Sequence, residues 1–265
     1  MLFVQPILAI LCGGVVGFTL GLIGGGGSIL ATPLLLYVIG LSPHEAIGTG
    51  ALTVSVSAFT NFASHFRAGN VRWRSAMLFA GVGMIGAFLG SLLGKSFNGK
   101  KLLFLFAILM VIVGIKMFRA KRSQALQHIP AGWRYCNRES IPKIIGAALA
   151  VGALSGFFGI GGGFLIVPAL LFSTGMPMLF AVGSSLLGVG TFGLTTAFNY
   201  AISGLIDWPV AAEFVAGGFA GGWLGMQLAC RLASHKNTLS RVFAGIVCIV
   251  SIYMLYKNAA AFHLA

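Results

Sequence analysis

Acidic side chains are nearly absent from this sequence. Asp and Glu together account for 4 of 265 residues, and charged residues of all kinds make up 8%, against about 25% in soluble domains. Hydrophobic residues make up 58%, and the mean hydropathy is +0.98. This composition excludes an ordinary water-soluble fold. It predicts an integral membrane protein whose main surroundings are the lipid bilayer.

Metal, redox and catalytic patterns are also missing. The four cysteines form no C-x-x-C pair, and the five histidines show no i, i+4 pair, so zinc, redox and metal-transport functions lack their usual motifs. Leu154-Ser155-Gly156 is similar to a serine-protease motif, but no histidine lies in a membrane segment of the second half to act as its base. We therefore expect no cofactor, no bound metal and no enzymatic activity.

The basic residues give a net charge of +13, but their positions argue against a nucleic-acid partner. They lie between apolar segments, as expected of cytoplasmic loops that orient membrane helices. The stretch 116–143 carries seven basic residues and one acid, so we expect it on the inside. An odd number of crossings in the second half places 13 basic residues inside and 4 outside, whereas an even number gives 11 and 6. The odd count is favoured, and it predicts two halves of opposite topology.

The chain contains one unit twice, offset by 135 residues. Gly17–Tyr37 and Gly152–Phe172 are identical at 9 of 21 positions, and Ala76–Leu93 and Ala211–Leu228 at 7 of 18. The first residues lack a basic n-region and an Ala-x-Ala site, so residues 1–23 are expected to be a membrane helix and not a cleaved signal. The predicted divisions are repeat 1 at 1–118, a basic cytoplasmic linker at 119–143, and repeat 2 at 144–265.

In each repeat a glycine run interrupts an apolar segment, and a proline follows. After Gly24–Gly27, the apolar segment 28–40 would measure about 20 Å as a helix, which is less than the ~30 Å hydrocarbon core. Gly159–Gly163 precedes a similarly short segment. Broken helices at matching positions are typical of secondary transporters. We predict an all-α membrane protein with two repeats, inverted, each having about four membrane helices including a Gly-broken one with a short half-helix.

A helix that begins at such a break presents unpaired N–H groups, which favour an anion. Ser28 is expected to cap the first of these helices. A helix end contributes about 0.3–2 kcal/mol, less than the several kcal/mol that burying an ion costs, so hydroxyl and amide side chains are needed as well. The predicted substrate-binding residues are Gly24, Gly25, Gly26, Gly27, Ser28, Thr49, Thr53, Asn61, Gly159, Gly161, Gly162, Gly163, Ser184, Ser185 and Asn199.

Two acidic residues have separate interpretations. Ser42-Pro43-His44-Glu45 has the form of a capping box, so Glu45 is expected to cap a helix. Glu213 lies inside an apolar segment, where an acid is a functional candidate, and we treat it as a candidate for proton coupling. Glycines at i, i+4 spacing are expected to permit close helix packing; they are Gly17 and Gly21, Gly86 and Gly90, Gly152 and Gly156, and Gly221 and Gly225.

The glycine elements Gly21-Leu-Ile-Gly-Gly-Gly-Gly-Ser28 and Gly156-Phe-Phe-Gly-Ile-Gly-Gly-Gly163, each followed by a proline, resemble those of the sulfite exporter TauE/SafE family of membrane transporters. The segments Ala46–Leu52, Ala181–Leu187 and Ile206-Asp-Trp208 resemble it as well. The resemblance implies a multi-pass carrier of the bacterial inner membrane, with members linked to export of sulfite, sulfoacetate and related anions. The two half-sites differ, since Ile160 replaces Gly25 and Gly163 replaces Ser28.

Together these patterns predict a secondary transporter for a small anion, sulfite or an organosulfonate such as sulfoacetate. Alternating access would come from one repeat rocking against the other, with proton coupling as a hypothesis. An anion channel and a carrier for a non-sulfur substrate, such as a carboxylate or a metal-related anion, stay open as alternatives. The sequence also leaves the oligomeric state open, a homo-oligomer included.

Overall fold

A computed structural model describes residues 4–97, 99, 102, 104–109, 111–112, 141–159, 163–232, 245, 249 and 252. Every regular element within these residues is helical. Most of the predicted linker lies outside them, but residues 141–143 already belong to the first helix of the second repeat. The last apolar segment of each repeat, 102–118 and 239–256, is described only in part.

The helices follow the predicted segments. They are α1 (Val4–Ile23), α2 (Ser28–Leu34), α3 (Pro43–Arg67), α4 (Trp73–Ser96), α5 (Ile141–Phe158), α6 (Gly163–Thr174), α7 (Met178–Ile202) and α8 (Trp208–Leu232). A π turn, Leu35–Ile39, continues α2. With this turn α2 has 12 residues, as does α6, and each is therefore about 18 Å long. The prediction of a short helix after each break is confirmed.

Within the part of the chain that the structure describes, four helices are long and apolar enough to cross a membrane; they are Gln5–Ile23, Trp73–Ser96, Ile141–Phe158 and Met178–Ile202. Large apolar side chains point outward along α4, where Met77, Ile85, Leu89 and Leu93 are each at least 57% exposed. Phe219, Trp223 and Leu224 do the same on α8. Continuous exposed apolar surface of this kind indicates contact with lipid.

Helix α3 shows how local sequence sets an element's start. The Ser42 backbone N–H donates to the Glu45 carboxylate at 3.1 Å, and the Glu45 N–H donates to the Ser42 hydroxyl at 3.4 Å. With Pro43 in the first turn, these bonds complete the capping box. The predicted capping role of Glu45 is confirmed.

The duplication is visible in the backbone. Among the described residues, the glycines with positive φ form three pairs, and the members of each pair are 135 residues apart. The pairs are Gly24 (70°) with Gly159 (66°), Gly40 (87°) with Gly175 (68°), and Gly69 (73°) with Gly204 (68°). Each marks a place where the chain leaves a helix, and L side chains rarely adopt this conformation. The same three turns are therefore built in both repeats.

Glycine packing joins helices of different repeats. Helix α1 lies along α8, and in the equivalent arrangement α5 lies along α4. A Cβ atom added at Gly17 would be less than 3.0 Å from the Gly218 backbone, and one at Gly152 would be equally close to Gly83. The same holds for the other glycines of the four predicted pairs. Their predicted packing role is confirmed.

The contacting residues also give the helix directions. Along α1 and α8, Gly13, Gly17 and Gly21 meet Phe214, Gly218 and Gly222; along α4 and α5, Gly86, Gly90 and Gly94 meet Leu149, Ala153 and Phe157. Both pairs are parallel. Helices α3 and α7 cross in opposite directions, with Ser55 at Gly190 and Gly48 at Tyr200. Helix α3 is also parallel to α8, and α4 is parallel to α7. The six helices therefore form two groups that run in opposite directions: α1, α3 and α8 in one, and α4, α5 and α7 in the other.

Candidate functional site

The first break is a sharp turn followed by a continuous helical path. Helix α1 ends at Ile23, Gly24 takes φ 70°, and Gly24–Gly27 form one 3₁₀ turn that leads into α2. The predicted N-cap role of Ser28 is wrong. Gly27 occupies the cap position in the αR conformation, and the Ser28 hydroxyl donates instead to the carbonyl of Gly25 at 2.7 Å. The 3₁₀ turn of Gly24–Gly27 precedes Ser28, so the N–H groups at the start of this helical path belong to the glycines.

The second break begins in the same way. Helix α5 ends at Phe158, Gly159 takes φ 66°, and α6 begins at Gly163. The Gly159 N–H donates to the Gly156 carbonyl at 3.1 Å, which closes the end of α5. Gly161 and Gly162 lie outside the described residues, so their predicted roles stay predictions.

The two breaks touch. A Cβ atom added at Gly25 would be less than 3.0 Å from three backbone atoms of Gly163, and one added at Gly163 would be equally close to three backbone atoms of Gly25. Both residues are buried. A larger residue on either side would clash, because the three nearest atoms at each position are backbone and no rotamer change could move them away.

Helix α7 supplies a hydroxyl to the first break. The Gly25 N–H donates to Ser185 Oγ at 3.4 Å, and the Ser185 hydroxyl donates to the Val182 carbonyl at 2.8 Å. The position equivalent to Ser185 in the first repeat is Gly50, which has no side chain. Gly159 packs instead against the Ile47 side chain of α3. Gly50 cannot supply a hydroxyl of this kind to the second break, so the residues described at the two breaks differ chemically.

Thr49 and Ser184 occupy equivalent positions, and the hydroxyl of each accepts a hydrogen bond from a backbone N–H of the opposite repeat. Thr49 accepts the Asp207 backbone N–H at 2.9 Å, and Ser184 accepts that of Arg72 at 2.9 Å. Asp207 and Arg72 each precede a long helix of the opposite repeat. These hydroxyls therefore join the two repeats. After accepting one bond, a hydroxyl still has its donor hydrogen and one acceptor lone pair.

Thr53 and Asn61 lie on one stripe of α3. Buried polar side chains recur there every fourth residue: Thr49, Thr53, Ser57, Asn61 and His65 are all at most 2% exposed. Ser57 and Asn61 lie beside glycines of α8, and Asn61 Nδ2 donates to the Ser57 carbonyl at 2.9 Å. Our sequence reasoning missed Ser57 and His65, although the four-residue spacing of polar residues could have found them.

Asn199 lies on a different interface. Its Nδ2 donates to the Ser91 hydroxyl of α4, and its backbone carbonyl accepts a hydrogen bond from Lys95 Nζ at 2.9 Å.

The structure brings Gly24, Gly25, Ser28, Gly163 and Ser185 together. Asn61 and Asn199 are on separate helix pairs.

The central cluster carries no formal charge. Its groups are the backbone amides and carbonyls of Gly24, Gly25 and Gly163 and the hydroxyls of Ser28 and Ser185. Glu213 is half-buried on α8. Within the described residues no three His, Cys, Asp or Glu side chains are placed to hold a metal ion. The Ser28 and Ser185 hydroxyls and the Gly25 N–H already donate within the protein, so an anion would bind here by replacing these hydrogen bonds. It could be released easily, because no fixed cation would hold it.

Comparisons with known proteins identify the family. The model of the sulfite exporter TauE/SafE family matches residues 9–254. A probable membrane transporter protein of Xylella fastidiosa strain Temecula1 is 52% identical over 257 residues, covering 96% of this chain and 97% of the relative. The probable membrane transporter protein YunE of Bacillus subtilis is 25% identical over 277 residues, covering 97% of this chain and 99% of the relative.

No solved structure matches the chain. The family match covers nearly the whole chain, and the 52% identical relative spans almost its full length. This chain therefore belongs to the sulfite exporter TauE/SafE family and is a membrane transporter protein.

Proposed function

We propose that the chain is a secondary transporter that carries sulfite or an organosulfonate such as sulfoacetate across the bacterial inner membrane, with its substrate site at the two glycine breaks. The observation that carries this proposal is the backbone contact between Gly25 and Gly163, which brings two short helices of different repeats together at buried polar groups. Family membership supports a transporter. The lack of formal charge in the cluster fits a ligand that is held by hydrogen bonds and is then released.

We propose further that the two repeats are inverted. Helices α1 and α5 are counterparts, as are α3 and α7, and α4 and α8; within each pair the two helices run in opposite directions. A relation of this kind is expected when the repeat axis lies in the membrane plane.

Ala68 and Ser203 test the inverted topology. They occupy equivalent exposed positions just after α3 and α7. In a background in which the four native cysteines are replaced, we expect Ala68→Cys and Ser203→Cys to react with a membrane-impermeant maleimide from opposite sides of the membrane. Labelling of both from the same side would contradict the inverted arrangement and favour parallel repeats.

The packing also changes which bodies we expect to move. The sequence favoured one repeat rocking against the other, but α1 is packed through glycines onto α8, and α5 onto α4. Moving whole repeats apart would break both interfaces. We propose instead that α1 and α8 move as one unit against α4 and α5, with the glycine breaks between them.

A flux measurement tests the substrate. Purified protein in liposomes should take up radiolabelled sulfite with saturation, and sulfoacetate should compete better than sulfate or acetate. Liposomes without protein and liposomes with Gly25→Ala protein are the controls. Inhibition by acetate alone would indicate a carboxylate carrier, and unitary conductance in a planar bilayer would indicate a channel. Either result would contradict the proposal.

A further inference from the structure

His65 is a fully buried ionisable residue in the last turn of α3. Of the Asp, Glu, Lys, Arg and His side chains that the structure describes, it alone is buried, with 0% of its surface exposed. An ionisable side chain inside a membrane protein is costly and marks a functional site by default. The mechanism outlined above makes no use of it.

The surroundings of His65 fix its tautomer. Nε2 lies 3.0 Å from the carbonyl oxygen of Gly21, and since a carbonyl can only accept, Nε2 carries the hydrogen. Nδ1 is buried and has no hydrogen-bond partner among the described residues. A proton added to Nδ1 would therefore create a buried N–H without an acceptor, which is unfavourable in this conformation.

Other titratable groups are distant from the ring or point outward. Helix α1 carries no charged residue; its Cys12 thiol lies nine residues before Gly21, about 13 Å along the axis. Gly222 of α8 lies beside Asn61, which is one turn before His65 on α3. Glu213 lies nine residues before Gly222 on α8. Cys230 and Arg231, near the end of α8, are exposed. Arg67 and Arg72, beyond the ring on the chain, are exposed as well.

The second repeat lacks this arrangement. The counterpart of His65 is Tyr200, which is also fully buried and whose hydroxyl has no partner among the described residues. The polar stripe that leads to His65 is interrupted there, because Gly188 and Phe192 replace Thr53 and Ser57. A coupling site is needed only once per transport cycle. The presence of an imidazole in the first repeat and not at the equivalent position of the second therefore fits a coupling site better than a packing role.

We propose that His65 is the binding site of the coupling proton. This inference rests on the proposed transport function. Nδ1 takes a proton from water on one side of the membrane and returns it to water on the other, and the neutral imidazole is regenerated. Protonation favours a conformation in which Nδ1 reaches water or an acceptor. Because Nε2 holds the carbonyl of Gly21, three residues before the first break, the proton is linked to the position of that break.

The test compares proton-driven accumulation with exchange. Wild-type protein, His65→Gln, Tyr200→Phe and Glu213→Gln are each reconstituted, and radiolabelled sulfite and sulfoacetate are followed in parallel. Each is measured under a pH gradient and by counterflow at equal pH. Gln keeps an N–H donor for the Gly21 carbonyl but does not titrate. We expect His65→Gln to lose pH-driven accumulation by about tenfold, a typical size for coupling, while counterflow stays within about twofold of wild type.

Tyr200→Phe and Glu213→Gln should keep their response to the gradient. If His65→Gln is not monodisperse, His65→Asn takes its place. Four results would overturn the inference and leave anion transport standing. In the His65 variant these are retained pH-driven accumulation, or loss of counterflow together with accumulation. The others are loss of the pH response in Glu213→Gln alone, and a wild-type flux that does not respond to the gradient. No saturable wild-type flux of either anion would overturn the transport function itself, and the inference with it.

Discussion

Gly25→Ala is expected to lower initial anion uptake by about tenfold or more in protein that still folds. The new methyl group would lie less than 3.0 Å from backbone atoms of Gly163. Overpacking of this kind costs about 1–3 kcal/mol, and about 1.4 kcal/mol corresponds to a factor of ten. Helices α2 and α6 are short and follow a turn, so the strain can be relieved by separating the breaks, which displaces the Gly25 N–H from Ser185.

Gly163→Ala should give the same loss, because the contact is reciprocal. Gly50→Ala is the matched control. Gly50 is buried in α3 and faces α2, but a Cβ atom there would be 3.4 Å from the side chains of Leu35 and Thr32, an ordinary contact. Uptake is measured in liposomes at equal protein content after size-exclusion chromatography. Wild-type uptake by Gly25→Ala would show that the substrate does not pass the breaks.

Gly17→Ala is expected to lower the thermal unfolding midpoint strongly, with a loss of at least about 1–3 kcal/mol of stability. Its Cβ atom would meet the carbonyl and Cα of Gly218 at less than 3.0 Å. Helices α1 and α8 are in contact along much of their length and cannot separate locally, so the clash must be relieved across the whole pair. Unfolding of the detergent-purified protein, followed by intrinsic fluorescence, measures the effect.

The same helix supplies the control. A Cβ atom at Gly14 would lie 3.7 Å from the Gly217 carbonyl, and Ala is favoured over Gly in a helix by about 1 kcal/mol; Gly14→Ala should leave the midpoint unchanged or raise it. The second repeat offers an independent pair of variants. Gly152→Ala should lower the midpoint, whereas Gly146→Ala should not, because a Cβ atom at Gly146 has nothing within 4 Å. Equal midpoints for Gly17→Ala and Gly14→Ala would disprove the packing account.

Much of the fold could be read from the sequence because its signals are local. The glycine runs end α1 and α5 where they were expected, and the capping box starts α3. The i, i+4 glycines mark the helix faces that pack closely. The error at Ser28 has a physical reason as well. A serine after a non-helical residue would cap a helix, but four glycines can themselves turn helically, and the serine then lies inside the helical path with its hydroxyl free to bond Gly25.

The partners of the site residues could not be read in this way. Sequence alone determined that this protein has two repeats, that each is broken by glycines, and that it belongs in a membrane. Tertiary structure decided that Gly25 meets Gly163, that Thr49 and Ser184 hold the backbone of the opposite repeat, and that His65 lies buried against Gly21. Each of these contacts joins chain segments more than 40 residues apart. Local patterns fix where helices start, end and turn, whereas the pairing of distant groups depends on how all the helices pack at once.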